Sequence, residues 1–170
     1  MVKFVERPDL KAVELPYSGD QMAMLLLLPK VKDNVMQLQR TLTFTSLNSI
    51  INALKEKKVT IELPRFKLEA IYDLTQILPT LGIVDVFDQL KANLTRVEPS
   101  GRLFVNQAIH KATIDVNEEG TEASAVGLIS AATRIGASDI SYFTADHPFI
   151  FILRNVETGV IFFMGRVSEL

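Results

Sequence analysis

Asn117-Glu118-Glu119-Gly120-Thr121-Glu122-Ala123-Ser124-Ala125 and, further on, Phe143-Thr144-Ala145-Asp146-His147-Pro148-Phe149-Ile150-Phe151-Ile152-Leu153 decide the reading of this 170-residue chain. The first stretch follows a strand-like run ending at Val116. It opens a segment reaching to Tyr142 with no recognisable element. Structureless connections beyond about 15 residues are uncommon in compact domains unless they are functional or disordered. Ala123 to Thr133 holds no charge, no Pro and no aromatic residue, and one parity reads Thr121, Ala123, Ala125, Gly127, Ile129, Ala131. Small residues on one side would let a strand slide into a sheet whose face is already closely covered. A surface loop rich in small residues has the same composition, and the pattern alone does not choose between a loop and a segment poised to become a strand.

Outward from there, the chain reads as mixed α and β. Ala12 to Leu15 and Met22 to Leu28 are apolar runs separated by the turn signal Ser18-Gly19-Asp20, which predicts a hairpin. The second run is apolar on both parities, so burial on both faces is expected. Residues 33–58 read as helical. Asp33 or Asn34 is a candidate cap, Leu47, Ile50, Ile51 and Leu54 follow the helix period, and Lys55, Lys57 and Lys58 form a basic end. The Thr-rich patch Thr41 to Ser46 should break this region into two helices. Val59 to Leu63 reads as a strand interrupted at Pro64, and Asp73 to Leu81 as a short helix ended by Gly82. Leu103 to Val116 reads as one long strand, with Ala108, His110, Ala112, Ile114 and Val116 on one parity. Phe149 to Leu153 and Val160 to Met164 form a second hairpin around a turn at Asn155 to Gly159. Strands joined by short turns make the sheets mostly antiparallel.

Composition narrows the function. Eighteen basic and 20 acidic side chains give a net charge of −2, without the clustered cationic excess that displaces counterions from a polyanion. Nucleic acid is therefore not expected as a partner. The chain has no Cys, hence no thiol nucleophile, disulfide framework or Cys-based metal site. No cofactor and no metal are expected. The strongly hydrophobic run Met22 to Leu28 is far short of the ~20 residues that a membrane-spanning helix needs, so no membrane partner is expected. The charged start Met1 to Asp9 reads as neither a secretory signal nor an anchor. A hydrolase would need a nucleophile, a base and an orienting acid. The bases of the usual type are His110, inside a strand pattern, and His147, before Pro148, so an enzyme is not expected.

The two quoted stretches resemble the serpin family of serine protease inhibitors. The first looks like the family's reactive-loop hinge, and the second like its C-terminal signature, centred here on Asp146-His147-Pro148-Phe149. Other stretches agree in family order. They are Glu14-Leu15-Pro16-Tyr17 to Pro29, Leu63-Pro64-Arg65-Phe66-Lys67-Leu68-Glu69 with Tyr72-Asp73-Leu74, Leu81-Gly82-Ile83 leading to Asp85 and Phe87, and Ile109-His110-Lys111-Ala112. The implied fold is α+β and serpin-like: mostly antiparallel sheets with a few helices. Residues 1–170 would be the C-terminal portion of a single serpin domain, with the reactive-centre loop at about 118–141 and the N-terminal part absent.

The resemblance implies an inhibitor of suicide-substrate type. A serine protease attacks the loop and forms an acyl-enzyme, and the freed loop then inserts as a strand before hydrolysis completes. Counting along the family's loop gives Arg134-Ile135 as the bait bond. Arg134 is also the one Lys or Arg between Lys111 and Arg154, which points to a trypsin-like protease as partner, since such enzymes pair the cation with a buried Asp. The hinge would be Glu118, Gly120, Thr121, Glu122, Ala123, Ser124 and Ala125. Gly127 departs from the family's usual Thr at the cost of some strand propensity. His110 matches the family's buried strand histidine, whose hydrogen-bond partners would lie in the missing N-terminal region, and Arg65 matches a partner of Glu118 at the top of the main sheet. Asn93-Leu94-Thr95 is an N-glycosylation sequon, with Asn93 the candidate acceptor, and favours an extracellular (secreted) protein over a cytoplasmic one. The missing N-terminal serpin region is the second expected partner. Without it the isolated chain is expected to be inactive and to aggregate through unpaired strand edges. The alternatives are a non-inhibitory serpin-like binding or carrier protein and an inert fragment.

Overall fold

Met22–Pro29 carries no charge, and the molecule is built around it. In the computed structural model, which describes residues 1–117 and 140–169, this strand is buried on both faces from Ala23 onward. In chain order the elements around it are β1 (Val2–Glu6), β2 (Leu10–Pro16), β3 (Met22–Pro29), α1 (Val35–Thr41), α2 (Phe44–Ala53), β4 (Lys55–Glu62), β5 (Phe66–Asp73), α3 (Leu74–Ile77), β6 (Ile109–Val116), β7 (Ile140–Thr144), β8 (Phe149–Asn155) and β9 (Ile161–Val167). Seven strands form one sheet in the order β7-β4-β1-β2-β3-β8-β9, and β5 and β6 pair in a separate two-stranded sheet. The described residues divide into two compact units, Met1–Phe66 with Val116–Leu170, and Lys67–Asp115.

In the first unit, the two faces of the large sheet are apolar for different reasons. One parity of β2, β3 and β8 supplies Leu10, Ala12, Leu25, Leu27, Ile150 and Ile152. These pack beneath the helices through Val35 of α1 and Leu47 and Ile50 of α2. The other parity supplies rings. Phe66 meets Phe149 edge-on at 5.7 Å between centroids and Phe151 at 5.6 Å. Gly165 of β9 makes room for the Phe151 ring, because a Cβ at that position would lie 2.6 Å from two of its ring carbons.

Two charges lie within the helix-side layer. Arg154 of β8 is directly opposite Ala23 of β3, and Glu14 of β2 is opposite Leu25. The small Ala23 lets the guanidinium cross to the carboxylate. Nε and Nη2 of Arg154 both donate to Glu14 Oε2, at 2.9 and 2.7 Å, and Lys3 Nζ of β1 donates to Oε1 at 3.3 Å. Glu14 and Arg154 are buried.

Both hairpins and the two-helix break occur as read. Thr43 ends the break as an N-cap, accepting from Ser46 N while the Ser46 hydroxyl accepts from Thr43 N. Such a reciprocal box contributes about 1 kcal/mol. Asn34 caps α1 without a side-chain hydrogen bond.

Lys55, Lys57 and Lys58 correct the expectation of a basic helix end. The helix stops at Ala53, Leu54 is extended, and the lysines belong to β4. Pairing of Val2, Lys3 and Phe4 with Lys57, Glu56 and Lys55 overrides the local helix preference. Lys57 Nζ also lies over the Phe4 ring, 5.7 Å from its centroid. The strand β1 itself was not anticipated, since its five residues alternate charge and apolar groups too briefly to stand out. Antiparallel pairing dominates the large sheet, with β4 and β7 the parallel exception.

In the second unit, the strand expected over Leu103 to Val116 begins only at Ile109. Asp73 caps α3 by accepting from Thr75 N at 2.9 Å, and a 3-10 turn at Leu78–Leu81 ends at Gly82 with φ 91°. That left-handed conformation is why glycine closes the turn. The Thr75 hydroxyl accepts from Ala108 N and Ala108 O accepts from Leu74 N, tying α3 to the entry of β6.

Candidate functional site

The hinge residues Glu118, Gly120, Thr121, Glu122, Ala123, Ser124 and Ala125, and the bait pair Arg134 and Ile135, lie outside the described residues. The structure does describe the chain on either side of them.

On the upstream side, β6 ends at Val116 and Asn117 follows. These two residues line an apolar cavity of about 580 Å³ together with Val2, Leu15, Val59 and Ile61, and its polar lining includes Lys58 and Arg65. Arg65 thus sits where the chain leaves β6, whereas the position of Glu118 is outside the described residues. Along β6, Lys111 pairs with Glu69 of β5 at 2.5 Å and Asp115 with Lys67 at 3.5 Å. All four are well exposed, so these pairs contribute little to stability, about 0–1 kcal/mol each. His110, expected as a buried strand residue, is instead exposed and stacks on Tyr72 at 6.5 Å between ring centroids, since the expected partners lie in the N-terminal region outside this chain.

On the downstream side, β7 runs parallel to β4, with Lys58 to Glu62 paired with Ile140 to Thr144. Phe143 is fully buried, Ala145 N donates to Glu62 O at 2.8 Å, and Lys11 Nζ donates to Tyr142 O at 3.0 Å.

The chain then passes through Asp146-His147-Pro148, where a polar relay holds it. Lys32 Nζ donates to Asp146 Oδ2 at 2.7 Å. Asp146 Oδ1 lies 2.6 Å from His147 Nδ1, and His147 Nε2 lies 2.6 Å from Pro29 O. The His147 ring is buried between these partners. The Lys32 ammonium, then the His147 ring, hold the Asp146 carboxyl down at about 2. The relay thereby ties the entry to β8 to the last residue of β3. Its geometry was not read from the sequence, because Pro29 and Lys32 are far along the chain from Asp146 and His147. The order Asp-His-Pro before an apolar strand was the available signal.

Among the described residues, no group of three or more His, Asp or Glu is placed to hold a metal ion, and no helix is long and apolar enough to cross a membrane. The described chain thus leaves β6 at Asn117 and resumes at Ile140 with β7 bound in the large sheet.

The family model described as Serpin (serine protease inhibitor) matches residues 1–170. Intracellular coagulation inhibitor 1 of Tachypleus tridentatus is 44% identical over 160 residues, covering 93% of this chain and 38% of that protein. Serpin B11 of Homo sapiens is 39% identical over 169 residues, covering 98% of this chain and 43% of that protein. Among solved structures, uncleaved ovalbumin superposes with a TM-score of 0.82 at 31% identity, over 99% of this chain and 42% of that one. The thermophilic serpin tengpin in its native state gives 0.82 at 28% identity, over 99% and 44%. The chain spans about two fifths of the length of these relatives. A family match along its whole length, and an α+β fold shared with solved members of that family, mean that the chain belongs to the serpin family.

Proposed function

We propose that this chain is the bait-bearing part of a suicide-substrate inhibitor of a trypsin-like serine protease, with Arg134-Ile135 as the bond attacked. The observation that carries the reading is the placement of the hinge sequence. Asn117-Glu118-Glu119-Gly120-Thr121-Glu122 begins where β6 ends, and the bait segment ends where β7 enters the large sheet. The protease serine oxygen attacks the Arg134 carbonyl carbon, and an ester forms. The Arg134–Ile135 peptide bond then breaks, with the Ile135 nitrogen leaving as a protonated amine. The small residues Thr121, Ala123 and Ala125 then enter the sheet to which β6 belongs without burying a charge. Insertion competes with hydrolysis of the ester, and inhibition follows when insertion is faster. The chain itself is not an enzyme in this scheme.

The second partner is an N-terminal serpin region. The half-exposed apolar residues Ile161, Phe162, Phe163 and Met164, alternating between the two faces of edge strand β9, are the kind of edge such a region would cover, and the relatives' greater length supplies it. Alone, the chain is inactive and aggregates through this edge. The residues Asn93-Leu94-Thr95 support an extracellular protein.

Limited trypsin digestion with mass mapping tests the bait assignment. The first cut is expected after Arg134, and Arg134→Ala should abolish it. A first cut at any other Lys or Arg refutes the assignment. A loop that resists trypsin favours the non-inhibitory carrier reading, to which the apolar cavity at Val116 would then belong.

A further inference from the structure

We propose that Asn93 is an N-glycosylation acceptor used in the secretory lumen, and that its glycan covers the neighbouring apolar side chains Leu90 and Val97. The inference deepens the extracellular placement above and rests on it.

Asn93-Leu94-Thr95 is the single Asn-x-Ser/Thr triplet among the 170 residues. It lies in the second compact unit, between the 3-10 turn at Asp85–Phe87 and β6, outside every helix and strand. Asn93 and Thr95 are exposed. The Thr95 hydroxyl donates to Asn93 Oδ1 at 2.8 Å, so the two side chains that define the acceptor already meet. The following turn is closed by Val97 N and Glu98 N, which donate to Leu94 O at 2.8 and 2.9 Å. Asn93 contributes no strand-ladder hydrogen bond, so a bulky substituent on its amide nitrogen displaces no element of the fold.

The flanking residues give the glycan something to do. Leu90 is 95% exposed and Val97 75%, on either side of the acceptor. A single exposed apolar side chain is ordinary. Leu90 lies three residues before Asn93 and Val97 four after it, so each is within reach of a large hydrophilic substituent on Asn93.

The co-reactant is a lipid-diphosphate-linked oligosaccharide presented by a transferase. Asn93 Nδ2 bonds to C1 of the first sugar, and the C1–O bond to the diphosphate breaks. The diphosphate leaves with the electron pair, and the Nδ2 proton passes to a base of the transferase.

The test exports the chain from a eukaryotic host behind an added leader, so that acceptor use is read apart from the chain's own routing. Peptide mapping should show a glycoform ladder at Asn93 that peptide-N-glycosidase collapses while converting Asn93 to Asp. Asn93→Gln and Thr95→Ala should abolish the ladder, and Thr95→Ser should retain it. Exported protein with an unmodified Asn93 overturns the proposal. Recovery of the natural protein only from the cytoplasm overturns the extracellular placement, and with it natural use of the site. For the shielding role, deglycosylated protein and Asn93→Gln should bind more apolar dye than the glycosylated form. The combined change Leu90→Ser and Val97→Ser should remove that increase. Equal dye binding with and without the glycan overturns the shielding role.

Discussion

Replacing Arg154 by Met should destabilise the large sheet far more than replacing both Arg154 and its partner. Glu14 has a side chain only 3% exposed, and Arg154 supplies two hydrogen bonds to its Oε2, at 2.9 and 2.7 Å. In Arg154→Met those bonds vanish, leaving a carboxylate within the helix-side layer with Lys3 Nζ at 3.3 Å as its remaining cation. Breaking a buried pair from one side typically costs about 3–5 kcal/mol, because the other charge stays buried. Lys3 is 47% exposed and offsets part of this, which places the expected loss near the lower limit, about 3 kcal/mol. The double variant Glu14→Leu with Arg154→Met replaces both charges by apolar groups of similar size, and should lie within about 1 kcal/mol of the wild type. Urea unfolding followed by far-ultraviolet circular dichroism at low protein concentration reads this directly. At a slope of about 1–3 kcal/mol per molar urea, the single variant shifts the midpoint by at least about 1 M. A single variant with an unmoved midpoint, or a double variant as unstable as the single, would refute the reasoning.

Two other perturbations follow from the same sheet and its edge. Gly165→Ala drives a Cβ to 2.6 Å from the Phe151 ring, which Phe66 restrains on another side, so overpacking should cost about 1–3 kcal/mol and lower the thermal midpoint. An unchanged midpoint would show that the ring can move away. Asp146 has a folded pKa depressed from 3.8 to about 2, so its contribution is present above the ordinary value and is lost as pH falls from about 4 to about 2. Lys32→Met removes the largest cause of the depression, and should move this acid loss toward higher pH in a pH series of unfolding curves. An identical acid limb in the variant would count against the relay.

Apolar runs were the legible part of the sequence. Met22 to Leu28 and Phe149 to Leu153 could be placed because burial on both faces leaves no polar parity to confuse the period. Lys55 to Lys58 were misread because a basic tail after a helical pattern is a helix-end signal, and the strand they form depends on partners in β1 and β7 that are distant in sequence. Leu103 to Ala108 were read into β6 through side-chain alternation, although Ala108 instead bonds to Leu74 and Thr75. In the candidate site, the family order of residues carried the signature Asp146-His147-Pro148-Phe149, while the hinge lies outside the described residues and the relay from Lys32 to Pro29 required three-dimensional neighbours. His110 illustrates the opposite limit. Its strand assignment holds, yet its surroundings in this chain are Tyr72 and solvent.

The central claim is that Arg134 baits a protease into a covalent trap. The direct measurement is the intact mass, under denaturing conditions, of trypsin mixed with the chain joined to an N-terminal serpin region, and with the chain alone. A covalent adduct in the joined protein, lost in Arg134→Ala, and clean cleavage without adduct in the chain alone, are the predicted results. Clean cleavage after Arg134 in both, with no adduct, would contradict trapping and leave this serpin a substrate.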